Sequence, residues 1–436
     1  MADRTHILII GGGYVGSKAA RYLRAHLTSG EADVTVVDPR SYLTYQPFLA
    51  EAAAGSVEPR HVVVPLREIL PGCVVLSAEA IAIDTGDRAV TLRVAGGHLE
   101  RISYDILIVA PGSVSKTLPV PGLAEHGIGF KTLGEAIYLR NHVLSRLDQA
   151  ASTVDPDLRR RLLTFVFVGG GYAGIEAMAE LEDMTRQALP YYNVKSGEMR
   201  WVLVEAMDRI MPEVSPELAA YTLDLLAGRG FEIHLNSTLK SAENCHIVLG
   251  DDTEFDADTL VWTAGVKPSP MLADTDLPLD GRGRIRCTET LAVEGRPGVF
   301  AAGDSAAVPD ITKKEPGAVC PPSAQHATRQ AKKLAQNVIA TMRGRPMSQY
   351  RHTNAGSVAS LGLYQGVAQI YDVKLCGFGA WFLHRTYHLA TMPTLHRKAR
   401  IAADWALSLP FRRQVVATEE QHEPREQFVY ASEAGR

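Results

Sequence analysis

Apolar residues fall along this chain in two rhythms. Short unbroken runs rich in Val, Ile and Phe are followed by longer stretches in which apolar positions recur every three to four residues. Runs of the first kind, closed by glycine, predict strands buried on both faces of a parallel sheet, and the second rhythm predicts amphipathic helices that cross back over it. Strands are predicted at 7–10, 34–38, 104–109, 165–168, 201–205, 256–262 and 298–301, with helices after residue 16, from 175, and over 133–149.

Two of these strand-to-helix joints carry the same glycine grammar. Gly11, Gly12, Gly13, Tyr14, Val15 and Gly16 follow the first strand, and the next strand ends on Asp38. Gly169, Gly170, Gly171, Tyr172, Ala173 and Gly174 follow 165–168, and the next strand ends on Glu205. Glycines there allow a tight turn and close approach of backbone to a pyrophosphate, whose charge the helix N-terminus favours. The terminal acid accepts from ribose hydroxyls and repels a 2′-phosphate, so Glu205 favours NADH over NADPH. Each half is closed by a second strand with a small-residue end, at Ala110 in one and Gly265 in the other. Gly303 and Asp304 end a later short strand, where a backbone N–H and a carboxylate suit a ribityl chain and its pyrophosphate.

The fold class expected is therefore α/β, with two Rossmann-like dinucleotide-binding domains, one inserted in the other, and a C-terminal amphipathic region. The pair of sites implies two dinucleotides, a bound FAD and NADH as diffusing substrate. Pro and Gly at 119–122 and 265–270 read as the crossings between domains. Boundaries follow at 1–117 and 266–376 for a discontinuous FAD domain, 118–265 for the NADH domain, and 377–436 for C-terminal helices and tail.

Composition narrows the picture. With 436 residues there is room for two or three full cores, and a net charge of −4 argues against nucleic acid as partner. The five cysteines are scattered without a close pair, which suits a reducing compartment and offers no metal cluster. The first strand starts almost at residue 1, leaving no span for a leader, and no apolar run nears the roughly 18–20 residues of a spanning helix. A protein made in the cytoplasm and kept there, or lying on a membrane, is expected.

On these residues the chain resembles the type II NADH dehydrogenases, single-subunit NADH:quinone oxidoreductases that pump no protons. The likeness rests on 11–16 with Asp38, on 169–174 with Glu176 and Glu205, on 302–304, on 322–330 and on 374–413. It implies FAD, hydride transfer from NADH, and two-electron transfer to menaquinone or ubiquinone. It places the quinone motif at Ala324, Gln325 and Ala327, although Arg329 stands where a second Gln is expected and Gln330 follows it. It assigns catalytic roles to Glu176 in proton delivery, to Gln325, and to Lys374 near the quinone pocket. It further implies peripheral attachment at the cytoplasmic side of the cell membrane, with a homodimer left open.

The C-terminal sequence agrees with attachment. Helices are predicted at 380–392 and 395–410, with Trp381, Phe382, Leu389, Ile401, Trp405, Leu407, Leu409 and Phe411 as an apolar set. Arg385, Arg397, Lys398, Arg400, Arg412 and Arg413 form a basic set, the composition of a helix seated at a headgroup boundary. The polar stretch 418–436 reads as a poorly ordered tail. Other readings share both nucleotide units: a soluble NADH-dependent flavin reductase without need of 381–411, a sulfide:quinone oxidoreductase-like enzyme, which needs reactive cysteines, and a nucleotide-sensing module with little turnover. The stretch 45–55, where flavin disulfide reductases carry a redox cysteine pair, has none, so thiol relay chemistry is not expected.

Overall fold

The apolar runs become the inner strands of two parallel sheets that share the order of four strands. The computed structural model describes residues 4–28, 30–352, 356–411, 413 and 415–418. Two compact units emerge, Met1–Thr44 with Val63–Val114 and Val266–Asn354, and Tyr45–Val62 with Ser115–Gly265 and Ala355–Arg436. Helices run over Tyr14–His26 (α1), Leu49–Ala53 (α2), Leu133–Ser152 (α3), Tyr172–Ala188 (α4), Pro216–Gly228 (α5), Ala324–Met342 (α6), Gly377–Thr391 (α7) and Leu395–Leu407 (α8).

In the first unit the sheet runs Val299–Ala301, Ile106–Val109, Thr5–Ile10, Ala32–Asp38, Val74–Ser77, every pair parallel. Ile7, Leu8 and Ile9 are fully buried, as strands covered on both faces must be. Chain order reverses on either side of the first strand, and ligands bind outside the carboxyl ends of strands at such a point. The glycine turn 11–16 lies there, leading into α1, which packs along α6.

The second unit repeats the order in four strands, Thr259–Trp262, Thr164–Val168, Arg200–Val204 and Phe231–His234, while its edge strand Gly127–Gly129 comes first in the chain where that of the first unit comes last. Phe165 stacks on Trp201 at 4.5 Å between ring centres, filling one side of this sheet. The helix α3 is fixed at its start by a capping box: Glu135 N–H donates to Thr132 Oγ1 at 3.2 Å, and Thr132 N–H donates to Glu135 Oε2 at 2.7 Å. An antiparallel sheet of Gly356–Ser360, Gly366–Ile370 and Val373–Cys376 follows, and α7 packs on it.

The compact units divide the chain differently from the expected boundaries. Residues 45–62 and 356–376, expected with the flavin domain, pack in the second unit, because Leu49, Ala50, Ala53 and Ala54 of the one and Ala359, Leu361 and Val367 of the other join the core to which α3 and α4 contribute. The C-terminal helices belong to that unit as well. Trp381 is buried, and Arg385, expected among headgroups, lies between the Trp381 and Trp405 rings and pairs with Glu51 at 3.3 Å. Arg413 is likewise buried against Glu180. Among the described residues no helix is long and apolar enough to cross a membrane. Arg412 and the tail 419–436 lie outside the described residues.

Candidate functional site

In the first unit the turn is built by the glycines and locked by the acid. Gly11 adopts φ +98°, and its N–H donates to Val37 O at 2.8 Å. Gly12 N–H donates to Asp38 Oδ2 at 2.7 Å, and Arg40 N–H donates to Oδ1 at 2.8 Å. A Cβ on Gly11 would run into the Ala110 carbonyl and one on Gly16 into the Gly11 carbonyl, whereas at Gly13 it would meet nothing within 4 Å. The strand-to-helix packing is thus glycine-tight while the ligand side is open, a cradle shaped for pyrophosphate. The closing strand ends at Ala110, whose N–H donates to Ile10 O at 2.8 Å.

The second unit repeats the construction. Gly169 has φ +112° and donates to Val204 O at 2.9 Å. Gly170 N–H donates to Glu205 Oε2 at 2.6 Å and Met207 N–H to Oε1 at 2.8 Å, while a Cβ on Gly174 would strike the Gly169 carbonyl. Thr263 Oγ1 donates to the Val168 and Gly169 carbonyls at 3.0 and 3.1 Å, tying the closing strand to the turn ahead of Gly265. Tyr172 opens α4 and its hydroxyl is pushed up in pKa by burial. Glu213 was not read from the sequence. It stands 3.9 Å from where a Cβ on Gly171 would sit, and burial pushes its carboxyl up, with Glu205 adding to the effect. The turn thus carries a second acid beside Glu205.

Gly303 and Asp304 follow the edge strand Val299–Ala301 of the first sheet. Gly303 has φ +77°, and its N–H donates to Gln330 Oε1 at 2.8 Å. Asp304 Oδ2 accepts from Ser113 Oγ at 2.6 Å. Gln330, one place beyond Arg329, is thus engaged with this loop and nearly fully buried. Ala324 and Gln325 open α6 behind a Ser323 cap, whose hydroxyl accepts from His326 N–H at 3.2 Å. Gln325 Oε1 accepts from His352 Nε2 at 2.7 Å, and Arg329 bonds the same ring. Burial, Arg329 and His326 lower His352 to about 4, so it is neutral near pH 7.

In the second unit Glu176 faces inward from α4. Its Oε1 accepts from Ser360 N–H at 2.9 Å and lies 3.4 Å from His384 Nε2. Lys374 is placed otherwise, on the surface, 2.9 Å from Glu217 Oε2. The thiols are unsuited to nucleophilic work: burial raises Cys73 and Cys320 to about 11 and also raises Cys245, Cys287 and Cys376.

The chain is similar to known proteins in both sequence and fold. The family model for pyridine nucleotide-disulphide oxidoreductases matches residues 5–331. The chain is similar to a type II NADH:quinone oxidoreductase of Staphylococcus saprophyticus, 27% identical over 88% of this chain and 94% of that protein. It is also similar to the type II NADH:quinone oxidoreductase Ndh of Mycobacterium tuberculosis, 28% identical over 96% of this chain and 91% of that one. The structure of NDH2 from Plasmodium falciparum in complex with NADH superposes with a TM-score of 0.88 at 17% identity, covering 95% of this chain and all of that one.

Proposed function

Since the chain belongs to the pyridine nucleotide-disulphide oxidoreductase family, we propose that it is a type II NADH:quinone oxidoreductase, moving electrons from NADH through FAD to quinone without pumping protons. The observation that carries this reading is the repeated turn-and-acid lock, 2.7 Å at Asp38 in one unit and 2.6 Å at Glu205 in the other. Two such locks hold two dinucleotides. The cradle of 11–16 with Asp38, Ala110, Gly303 and Asp304 fits FAD, and 169–174 with Glu205 and Gly265 fits NADH. When bound, FAD supplies the two-electron redox centre between hydride donor and quinone.

The chain's own residues do the rest. Asp38 and Glu205 orient the adenosine ends, and Gln330 and Ser113 fix the loop and carboxylate at 303–304. Gln325 and the neutral His352 form a polar pair suited to a quinone carbonyl, with Arg329 bonded to the same ring. Glu176 is the acid that hands a proton to the reduced quinone. Lys374 is left to its surface ion pair.

Peripheral attachment to the cytoplasmic side of the membrane that dissolves the quinone is part of the reading. Its support is the apolar surface of the C-terminal region, with Phe378, Phe382, Leu395, Leu407, Leu409 and Phe411 all more than half exposed. The raised thiols weigh against a sulfide oxidase. Steady-state NADH oxidation by the purified yellow protein tests the whole: turnover that requires a short-chain quinone and prefers NADH to NADPH is expected, and quinone-independent turnover would overturn it.

A further inference from the structure

A file of buried ionisable side chains in the second unit reaches Glu176 from the C-terminal helix. His384 and His388 stand one turn apart on α7, their ring centres 4.6 Å apart at 67°. His384 is almost fully buried, its Nε2 is 3.4 Å from Glu176 Oε1, and its Nδ1 is buried with no hydrogen-bond partner among the described residues. His388 is partly exposed, touches the exposed Tyr387 ring at 5.1 Å between centres, and lends its backbone carbonyl to the Tyr45 hydroxyl at 3.0 Å.

The titratable groups that meet His384 are Glu176 on α4, Glu51 on α2 and His388 on α7, and around them lie Arg385 on α7, which pairs with Glu51, Glu180 on α4, and Arg413 after α8, which pairs with Glu180. Arg385 and Arg413 are committed to Glu51 and Glu180. Glu176 is left facing the imidazole. A buried ring with one nitrogen on a carboxylate and a bare second nitrogen suits the neutral tautomer with hydrogen on Nε2, because a bare lone pair costs less to bury than a bare N–H of a cation.

We propose that His384 is the proton inlet of Glu176, with the partly exposed His388, its ring centre 4.6 Å away, as the relay from the surface: a proton arriving at Nδ1 releases the Nε2 proton to the carboxylate. An O–H bond of a solvent hydronium breaks as an N–H forms at Nδ1, and the N–H at Nε2 breaks as an O–H forms on Glu176; the net transfer is one proton from solvent to the carboxylate, and no electrons move. His384 touches no substrate and acts through Glu176, so the inference rests on Glu176 being the proton donor to quinone. Rotation or re-exchange of the ring resets the tautomer between turnovers. Burial lowers His388 to about 3, which makes it a neutral conduit that stores no proton near pH 7.

The test is stopped-flow on the flavin-loaded full chain, following flavin reduction by NADH and its reoxidation by a short-chain quinone in H2O and in D2O. In H384Q, quinone-driven reoxidation is expected to slow about tenfold or more and to lose the pH profile of the native protein. Reduction by NADH and reoxidation by ferricyanide, which accepts no proton, stay unchanged. Reoxidation of H384Q at the native rate overturns the inlet, and if E176Q is slow in the same assay the role of Glu176 survives. Native-rate reoxidation in E176Q removes both. Should H384Q fail to hold flavin, H388N carries the test, slowed and isotope-sensitive reoxidation supporting the inlet and an unchanged rate overturning it. A readout independent of turnover is the 15N spectrum of labelled histidine in the resting holoprotein, where His384 is expected neutral with hydrogen on Nε2; a resting imidazolium contradicts the proposal.

Discussion

Replacing Arg385 by Met separates two views of the C-terminal helix. A headgroup-facing arginine is solvated, and its loss would change stability by no more than about 0.5 kcal/mol. In the structure the guanidinium is instead buried, 4.2 Å from the centre of the Trp381 ring and 4.8 Å from that of Trp405. Its partner Glu51 is 1% exposed and is otherwise held by Trp405 Nε1–H at 2.8 Å. Removing one member of a buried pair strands the other charge, and the cost expected is about 3–5 kcal/mol, or roughly 6–20 °C in unfolding temperature for a unit of this size.

The pH dependence of R385M follows from Glu51. Burial raises its pKa above the ordinary 4.5, with Arg385 the main opposing influence. A raised folded pKa gives stability that is complete below the unfolded value and lost as pH climbs through the folded one. Without Arg385 the folded value rises further, so the penalty should be greatest at neutral pH and shrink toward pH 4.5. Thermal unfolding of the flavin-loaded protein across that range measures it. The double variant E51L/R385M, which removes both charges, should recover most of the loss. A single variant within about 0.5 kcal/mol of the native protein would refute the buried pair, as would a double variant no better than the single one.

Three further outcomes are expected. Glu205→Arg should raise kcat/KM for NADPH relative to NADH by about tenfold or more, since it removes a repelled carboxylate and offers a guanidinium to the 2′-phosphate; an unchanged ratio would take Glu205 away from the ribose. Asp183, raised to about 6 chiefly by burial, contributes stability below its ordinary 3.8 that is lost as pH rises through about 6. D183N should therefore gain on the native protein across that window by up to about 1.4 kcal/mol per pH unit, and parallel stability curves in urea titrations would contradict this. Serine at Phe378, Phe382, Leu395 and Leu409 together should abolish co-sedimentation with anionic vesicles while leaving NADH-driven flavin reduction intact; undiminished sedimentation would place the membrane contact elsewhere.

What the sequence made legible is what depends on neighbours along the chain. Gly12 and Asp38 are only 26 residues apart, joined by one strand-helix-strand unit, and the glycine pattern announces their bond. The clasp of Ser113 on Asp304 spans 191 residues, and Arg413 reaches Glu180 across 233. No local pattern encodes such pairings. Arg385 misled because a helix rich in Trp and Arg looks the same whether the guanidinium meets lipid phosphate or slides between two indoles onto a buried carboxylate. The segment 45–62 was assigned by its place in the chain, whereas the small residues of α2 choose their partner by fitting closely against α3 and α4. Glu176 stood out through family likeness alone. His384, one of two histidines a turn apart on α7, carried no signal until its ring was seen facing Glu176 with the other nitrogen bare.

Mixing under anaerobic conditions tests the central claim most directly, that one bound flavin passes electrons from a nicotinamide to a quinone. The purified protein should be yellow, lose its visible flavin band on adding stoichiometric NADH, and regain it on adding a short-chain quinone. Protein that folds without flavin, or whose bleached band no quinone restores, would contradict the account.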